Sequence, residues 1–241
     1  MKIAVYVEGQ TELIFIREFL LKWYEYDISK IGIECFEIRN AEQFPTDYSY
    51  LDGTPERQYT LINVGCDERA LSIALTNAEK HRNVGFDRVL VLRDMYSKQY
   101  ISIQGGNRRI DSALSNRFIK GSNASISEKG FAGFVFCHFA IMEVEAWILG
   151  MGWYLAKHDA SLTQSFLFSE LDFDLEKDPE ITEYHPARRL KEIYRLIGLD
   201  YDKHAGEVNS IMSKLEKSDF ELLLELNKCP SFKLFKENLT R

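Results

Sequence analysis

Five carboxylates in this chain stand where chemistry could be done. Glu8 and Glu12 flank the turn after the apolar run 3–7, Asp94 ends the run 89–93, and Glu143 and Glu145 follow the run 134–142. Each run reads as a buried strand. An acid just beyond a strand's carboxyl end lies on the edge of an open α/β sheet, where ligands and metals bind. Glu8 and Glu12 are one helical turn apart and can aim at one point. Carboxylate oxygens are the hard ligands that Mg2+ or Mn2+ takes, and such an ion neutralises charge on a phosphate and activates a water. Each acid also has an ordinary structural use. Glu8 can start a turn, and Glu12 and the Glu143/Glu145 pair can place charge in the first turn of a helix, where the dipole favours it. Two residues apart on a helix, Glu143 and Glu145 are expected to point different ways, so that only one of them faces the site.

Bringing these acids together requires a sheet, and the chain supplies its pattern. Runs rich in β-branched, aromatic and aliphatic residues predict strands over 2–7, 33–38, 59–64, 88–93 and 134–140. Helical periodicity over 11–24, 67–82, 108–119 and 143–155 alternates with them, which predicts an α/β fold with a mostly parallel sheet. Asp67 is a good helix start, with Glu68 adding charge of the favourable sign. Gly121 and Gly130 are expected to punctuate a linker before the last strand. The stretch 44–58, with Pro45, Gly53 and Pro55, predicts a loop that carries Tyr48 and Tyr50. Beyond about residue 155 the strand signal stops. His185-Pro186 opens a helix that runs to a Gly198 stop, another spans 207–215, and short helices follow around Glu221 and Phe235. The expected organisation is an α/β domain over 1–156 and a helical C-terminal extension over 157–241.

Composition narrows the function classes. A chain of 241 residues buries a core without disulfides, and Cys35, Cys66, Cys137 and Cys229 have no C-x-x-C spacing. Buried thiols in a reducing compartment fit them better than metal ligands do, and a cytoplasmic protein is expected. The first apolar run is cut at Glu8, and the most apolar region, 131–156, is interrupted by His138, Glu143 and Glu145, so neither a signal peptide nor a membrane span is expected. The net charge of −7 is the wrong sign for a protein that coats nucleic acid through bulk electrostatics. Much of it sits in the acidic block 170–183, expected to be a solvated loop or partner-facing segment, while Lys98, Arg108, Arg109, Arg117 and Lys120 form a locally basic stretch.

The segment Val7-Glu8-Gly9-Gln10-Thr11-Glu12 resembles the first motif of Toprim domains, the fold of topoisomerases, bacterial primases and the overcoming-lysogenization-defect (OLD) nucleases. Together with Met142-Glu143-Val144-Glu145-Ala146-Trp147 it is similar to small stand-alone Toprim-like proteins of bacterial abortive-infection and phage-defence modules, often encoded beside an ABC or AAA ATPase. The resemblance covers the chain to about residue 156 and, more loosely, His185-Pro186 and Tyr201-Asp202-Lys203. It implies that Glu8 is the acid/base glutamate, Glu12 an additional metal ligand of the OLD type, and Asp94 the first aspartate of a D-x-D motif. At the second aspartate this chain has Tyr96, a neutral phenol and a poor Mg2+ ligand, so one carboxylate is lost unless Glu143 or Glu145 replaces it. Lys203 resembles the lysine of OLD-type sites that stabilises a leaving oxygen, the alternative being a surface lysine.

Other residues carry less. Gly105-Gly106-Asn107-Arg108-Arg109 could grip phosphate or be an ordinary loop, and Tyr48, Tyr50 and Tyr59 could stack on bases or cap a core. The five histidines lack transition-metal spacing, and His138 is expected to be a satisfied buried imidazole. No nucleophile-elbow sequence supports a serine or cysteine triad. The implied function is Mg2+- or Mn2+-dependent phosphodiester hydrolysis of nucleic acid, with Glu8, Asp94 and Lys203 as catalytic groups and Glu8, Glu12, Asp94, Glu143 and Glu145 as candidate ligands. The alternatives are a non-catalytic Toprim-fold subunit that docks on an ABC or AAA ATPase, and a nucleotide- or RNA-binding module.

Overall fold

A computed structural model describes residues 1–65 and 69–241. The core is a six-stranded sheet of β1 (Lys2–Val7), β2 (Ile31–Arg39), β3 (Glu42–Pro45), β4 (Arg57–Asn63), β5 (Arg88–Asp94) and β6 (Val135–Ala140), in the order β3-β2-β4-β1-β5-β6. All neighbouring pairs are parallel except β2–β3. The fold is therefore the expected α/β class with a mostly parallel sheet, and β1 lies in its middle.

Both faces of the sheet are covered, which is why the central strands read as continuous apolar runs rather than alternating ones. Ile3, Val5, Leu90 and Leu92 point to one side, where helix α1 (Gln10–Trp23) packs. Ala4, Tyr6, Val89 and Val91 point to the other, beneath α2 (Ala70–Asn83) and Ile126. Helix α3 (Lys98–Gln104), capped by the Ser97 hydroxyl, and α4 (Ser112–Glu128) connect β5 to β6.

After β6 the chain is helical: α5 (Glu145–Gly150), a 3-10 turn over Gly152–Tyr154, α6 (Leu155–His158), α7 (Gln164–Leu171), α8 (Pro179–Thr182), α9 (Pro186–Arg195), α10 (Ala205–Lys214), α11 (Lys217–Glu225) and α12 (Pro230–Thr240). Apart from α8, these helices share one apolar cluster with β1 and α1. Phe15, Trp147, Phe232 and Phe235 meet ring to ring, and Phe19 packs on Phe220. No helix among the described residues is long and apolar enough to cross a membrane.

Several local expectations are corrected. Residues 44 and 45 belong to β3, because Asn40 and Ala41 take φ of 50° and 66° and close a tight hairpin that needs both in the left-handed region. Gly121 lies inside α4, which continues to Glu128 because the extra turns bury Ser122 and Ile126. The expected helix over 143–155 is broken after Gly150 by close packing. A Cβ on Gly150 would lie 2.6 Å from Cys229 Sγ, and one on Gly152 would lie 2.3 Å from Leu175 Cδ2. The acidic block is not wholly solvated, since Glu180 and Glu183 are buried with hydrogen-bonded partners. Tyr59 is buried, its hydroxyl donating to Leu239 O at 3.0 Å, and is closed to base stacking. His138 is buried, but its Nε2 has no hydrogen-bond partner among the described residues, and burial pushes its pKa down to about 4. Cys66 and the helix-start reading of Asp67 and Glu68 fall outside the described residues.

Candidate functional site

Strands β1, β5 and β6 deliver their carboxyl ends to the same edge. Gly9 sits between β1 and α1 in an extended conformation, and a Cβ there would come within 3.0 Å of Glu12 Oε2, so the glycine leaves room for that carboxylate. Beyond β5 and β6 the two chains stay zipped: Met95 N donates to Ala140 O at 3.0 Å and Tyr96 N to Met142 O at 2.7 Å. Met142 then takes φ of 66°, and the turn it makes places Glu143 before α5, which starts at Glu145.

This turn overrides the expectation that Glu143 and Glu145 diverge. They are not two positions of one helix, and both reach the same ammonium, with Lys203 Nζ 2.8 Å from Glu143 Oε1 and 3.2 Å from Glu145 Oε1. Asp94, Glu143 and Glu145 each offer an oxygen, and the three atoms lie within 4.8 Å of one another. They form a buried acidic cluster that could hold a metal ion.

Each acid is also fixed by the surrounding fold. Asp94 Oδ1 accepts from Val144 N at 3.2 Å, at the start of α5. Glu143 Oε2 accepts from Ala187 N at 3.0 Å, in the first turn of α9, where helix amides favour an anion. Glu145 is 0% exposed, and its Oε1 accepts from Tyr201 Oη at 2.8 Å. Its Oε2 has no hydrogen-bond partner among the described residues. A buried carboxylate oxygen left bare is costly, and it is the feature a cation would satisfy.

Electrostatics follow from crowding. Burial, with the charges of Glu145 and Glu8, pushes the Glu12 carboxyl up to about 7. Burial and the neighbouring Glu12, Glu145 and Glu143 hold Asp94 well above the usual carboxylate range. Glu145 is raised by its burial and by Glu143, against the pull of Lys203. Burial works against the charge of Lys203, yet Glu145, Glu143 and Asp94 overcome it and hold the ammonium above its ordinary value. Lys203 is thus part of the acidic edge, not a surface lysine.

Glu8 occupies a different position. Strand alternation sends residues 89, 91 and 93 to the α2 side and Asp94 to the other, and Glu8 joins Arg93. Its Oε1 accepts from Arg93 Nε at 2.9 Å and its Oε2 from Asp94 N at 3.2 Å. A cleft of about 280 Å3 remains between Glu8, Glu12, Asp94, Tyr96 and Lys203. The sequence-selected residues therefore converge as an inner cluster of Asp94, Glu143, Glu145 and Lys203, with Glu12 beside it and Glu8 on the opposite wall.

Two contributors, Arg93 and the backbone of Ala187, had no sequence signal of their own, and Tyr201 entered only within the resembling segment Tyr201-Asp202-Lys203. Arg93 adjoins Asp94, but its pairing with Glu8 depends on which strands are neighbours. No protein-family model, curated protein or solved structure matches the chain.

Proposed function

We propose that the acidic edge holds a divalent cation, Mg2+ or Mn2+, and that the protein hydrolyses phosphodiesters of nucleic acid, as its resemblance to Toprim nucleases implies. The observation that carries this reading is the convergence of Asp94, Glu143 and Glu145 within 4.8 Å, with one fully buried oxygen of Glu145 unsatisfied. Those three residues would hold the ion. When bound, it supplies Lewis-acid neutralisation of the phosphate's charge. Lys203, a third exposed, adds a fixed positive charge at the cleft wall for a developing oxyanion. Glu12, pushed up to about 7, exchanges a proton near neutral pH and lines the same cleft, which suits general acid/base work. Glu8 braces the site through Arg93 and the Asp94 amide. By the same resemblance the protein acts as effector of a phage-defence module beside an ATPase.

Two observations favour a second reading. The ammonium of Lys203 already bridges Glu143 and Glu145, and Tyr96 stands where the resemblance implies an acid, which fits a non-catalytic subunit that docks on an ABC or AAA ATPase and is regulated by it. Calorimetry with Mn2+ and a nicking assay on DNA and RNA, run on wild type, Asp94→Ala and Glu12→Gln, separate the two. Nuclease function requires Mn2+ binding and nicking that both disappear in Asp94→Ala, with Glu12→Gln keeping the ion and losing the cut. Absence of both in the wild type leaves the binding-only subunit.

A further inference from the structure

Across Tyr96 from the acidic cleft lies a depression of about 330 Å3 with the opposite chemistry. Its walls carry Arg108, Arg188 and Arg189 against Glu183 and Glu192, an excess of one positive charge in a chain of net charge −7. Arg189 is committed, bonding Glu183 at 2.9 Å and Glu192 at 3.2 Å. Arg188 reaches Glu192 at 3.0 Å but keeps 67% of its side chain exposed. Arg108 is exposed and makes no ion pair among the described residues.

The loop holding Arg108 is built, not slack. Gly105 and Gly106, at φ of 61° and 88°, turn the chain out of α3, and Asn107 N donates back to Gln104 O at 3.2 Å. Gln104 Nε2 donates to Arg109 O at 2.6 Å, while its Oε1 accepts from Tyr184 Oη at 2.8 Å. Tyr184 in turn belongs to an aromatic group. Tyr96, Tyr184 and His185 contact one another edge to face at 4.6–5.7 Å, all only half-buried. Tyr96 therefore joins an acidic cleft to an aromatic patch rimmed by arginines.

We propose that this patch binds a single-stranded segment of nucleic acid, with Arg108 and Arg188 on its phosphates and a base stacked on Tyr184 and His185, adjacent to the phosphodiester in the acidic cleft. The proposal rests on the phosphodiesterase reading for what happens in that cleft. Arginine forks fit phosphate oxygens, and aromatic faces accept any base that is not already stacked in a duplex. An acidic peptide could use the arginines but has no use for the aromatic faces.

The test is fluorescence anisotropy in EDTA, so that nothing is cut, with labelled oligothymidylate and oligouridylate of about twelve nucleotides, a hairpin duplex and a polyglutamate peptide as probes. The single strands should bind about tenfold more tightly than the duplex. Arg108→Ala and Arg188→Ala should each weaken binding about fivefold, and together lower the salt slope by about 1.4, roughly 0.7 for each phosphate no longer neutralised. Tyr184→Leu should weaken binding with the slope unchanged. Unaltered affinity in the double arginine variant, equal duplex binding, or tighter binding of the peptide overturns the proposal. Mn2+ calorimetry keeps the two readings apart. The double arginine variant should bind the ion as wild type does, and Asp94→Ala should keep oligonucleotide binding in EDTA.

Discussion

Helix α5 touches two buried acidic regions through residues two apart, and they differ in whether the fold has finished them. Glu145 points to the sheet edge. Two residues on, Trp147 points into the helical layer, where its Nε1 donates to Glu180 Oε1 at 2.9 Å. Burial pushes the carboxyl of Glu180 up to about 7, as it does that of Glu12. Yet Glu180 is saturated: the Ser231 hydroxyl also bonds Oε1, and Ser231 N donates to Oε2 at 3.2 Å. At the sheet edge two carboxylates, Glu143 and Glu145, share one lysine, and an oxygen of Glu145 stays bare. A raised carboxyl pKa therefore marks burial in both places. The unsatisfied oxygen and the adjoining cleft distinguish a site from a structural contact.

The largest effect should come from exchanging one acid in each region. Asp94→Ala is expected to abolish Mn2+ binding, a loss of at least about 100-fold, because one of three ligands disappears and Glu8 across the cleft is held by Arg93. Glu180→Ala should leave Mn2+ affinity unchanged and cost about 2–4 kcal/mol of stability, since Trp147 Nε1–H and Ser231 lose their acceptor and a cavity opens beneath the aromatic cluster. Calorimetry and thermal unfolding on both variants read the contrast. Loss of the ion in Glu180→Ala, or its retention in Asp94→Ala, would erase the distinction.

Much of this difference could be read before folding, and part could not. Asp94, Glu143 and Glu145 stand at strand ends, so a parallel sheet was enough to predict their shared edge. The runs 3–7 and 89–92 announced those strands because both of their faces are covered. That Glu143 and Glu145 converge was not legible, because it follows from Met142 in the left-handed region, which delays the helix by two residues. The pairing of Glu8 with Arg93 was hidden for a similar reason. It depends on β1 and β5 being adjacent and in register, Val7 beside Leu92. Tyr201, in the connection between α9 and α10, and Ser231, in α12, approach their acids from far along the chain, and no local pattern encodes such contacts.

Acidity should also separate the regions. Glu12 and Glu180 bind protons more tightly in the folded chain than the ordinary carboxyl value near 4.5 would allow, so between about pH 4.5 and 7 the folded state holds more protons than the unfolded. Stability must then fall as pH rises through that window and level off above it. Glu180→Gln should remove one part of the slope, worth up to about 3 kcal/mol, whether or not Mn2+ is present. The part belonging to Glu12, Asp94 and Glu145 should vanish only when Mn2+ is added. Thermal melts at pH 5, 6.5 and 8, with and without the ion, read both. A slope that Mn2+ leaves untouched would place no cation at the sheet edge.

The finest distinction concerns how Lys203 and Tyr201 share Glu145. Lys203→Met removes the fixed positive charge and leaves Glu143 and Glu145 facing each other, so the ion-free protein should melt lower at pH 8 and regain the loss on adding Mn2+. If the lysine is instead a permanent replacement for the ion, Mn2+ will stabilise Lys203→Met and leave the wild type unchanged. Tyr201→Phe is milder. It deletes a hydrogen bond of 2.8 Å to Glu145 Oε1, a bond that favours the ionised carboxylate. Without it Glu145 should hold its proton to higher pH, and the midpoint of the rise of Mn2+ affinity with pH should move up by about one unit, the equivalent of a charge-assisted hydrogen bond of roughly 1.5 kcal/mol. An unmoved midpoint would mean that Glu145 contributes no oxygen to the ion, leaving Asp94 and Glu143 to hold it.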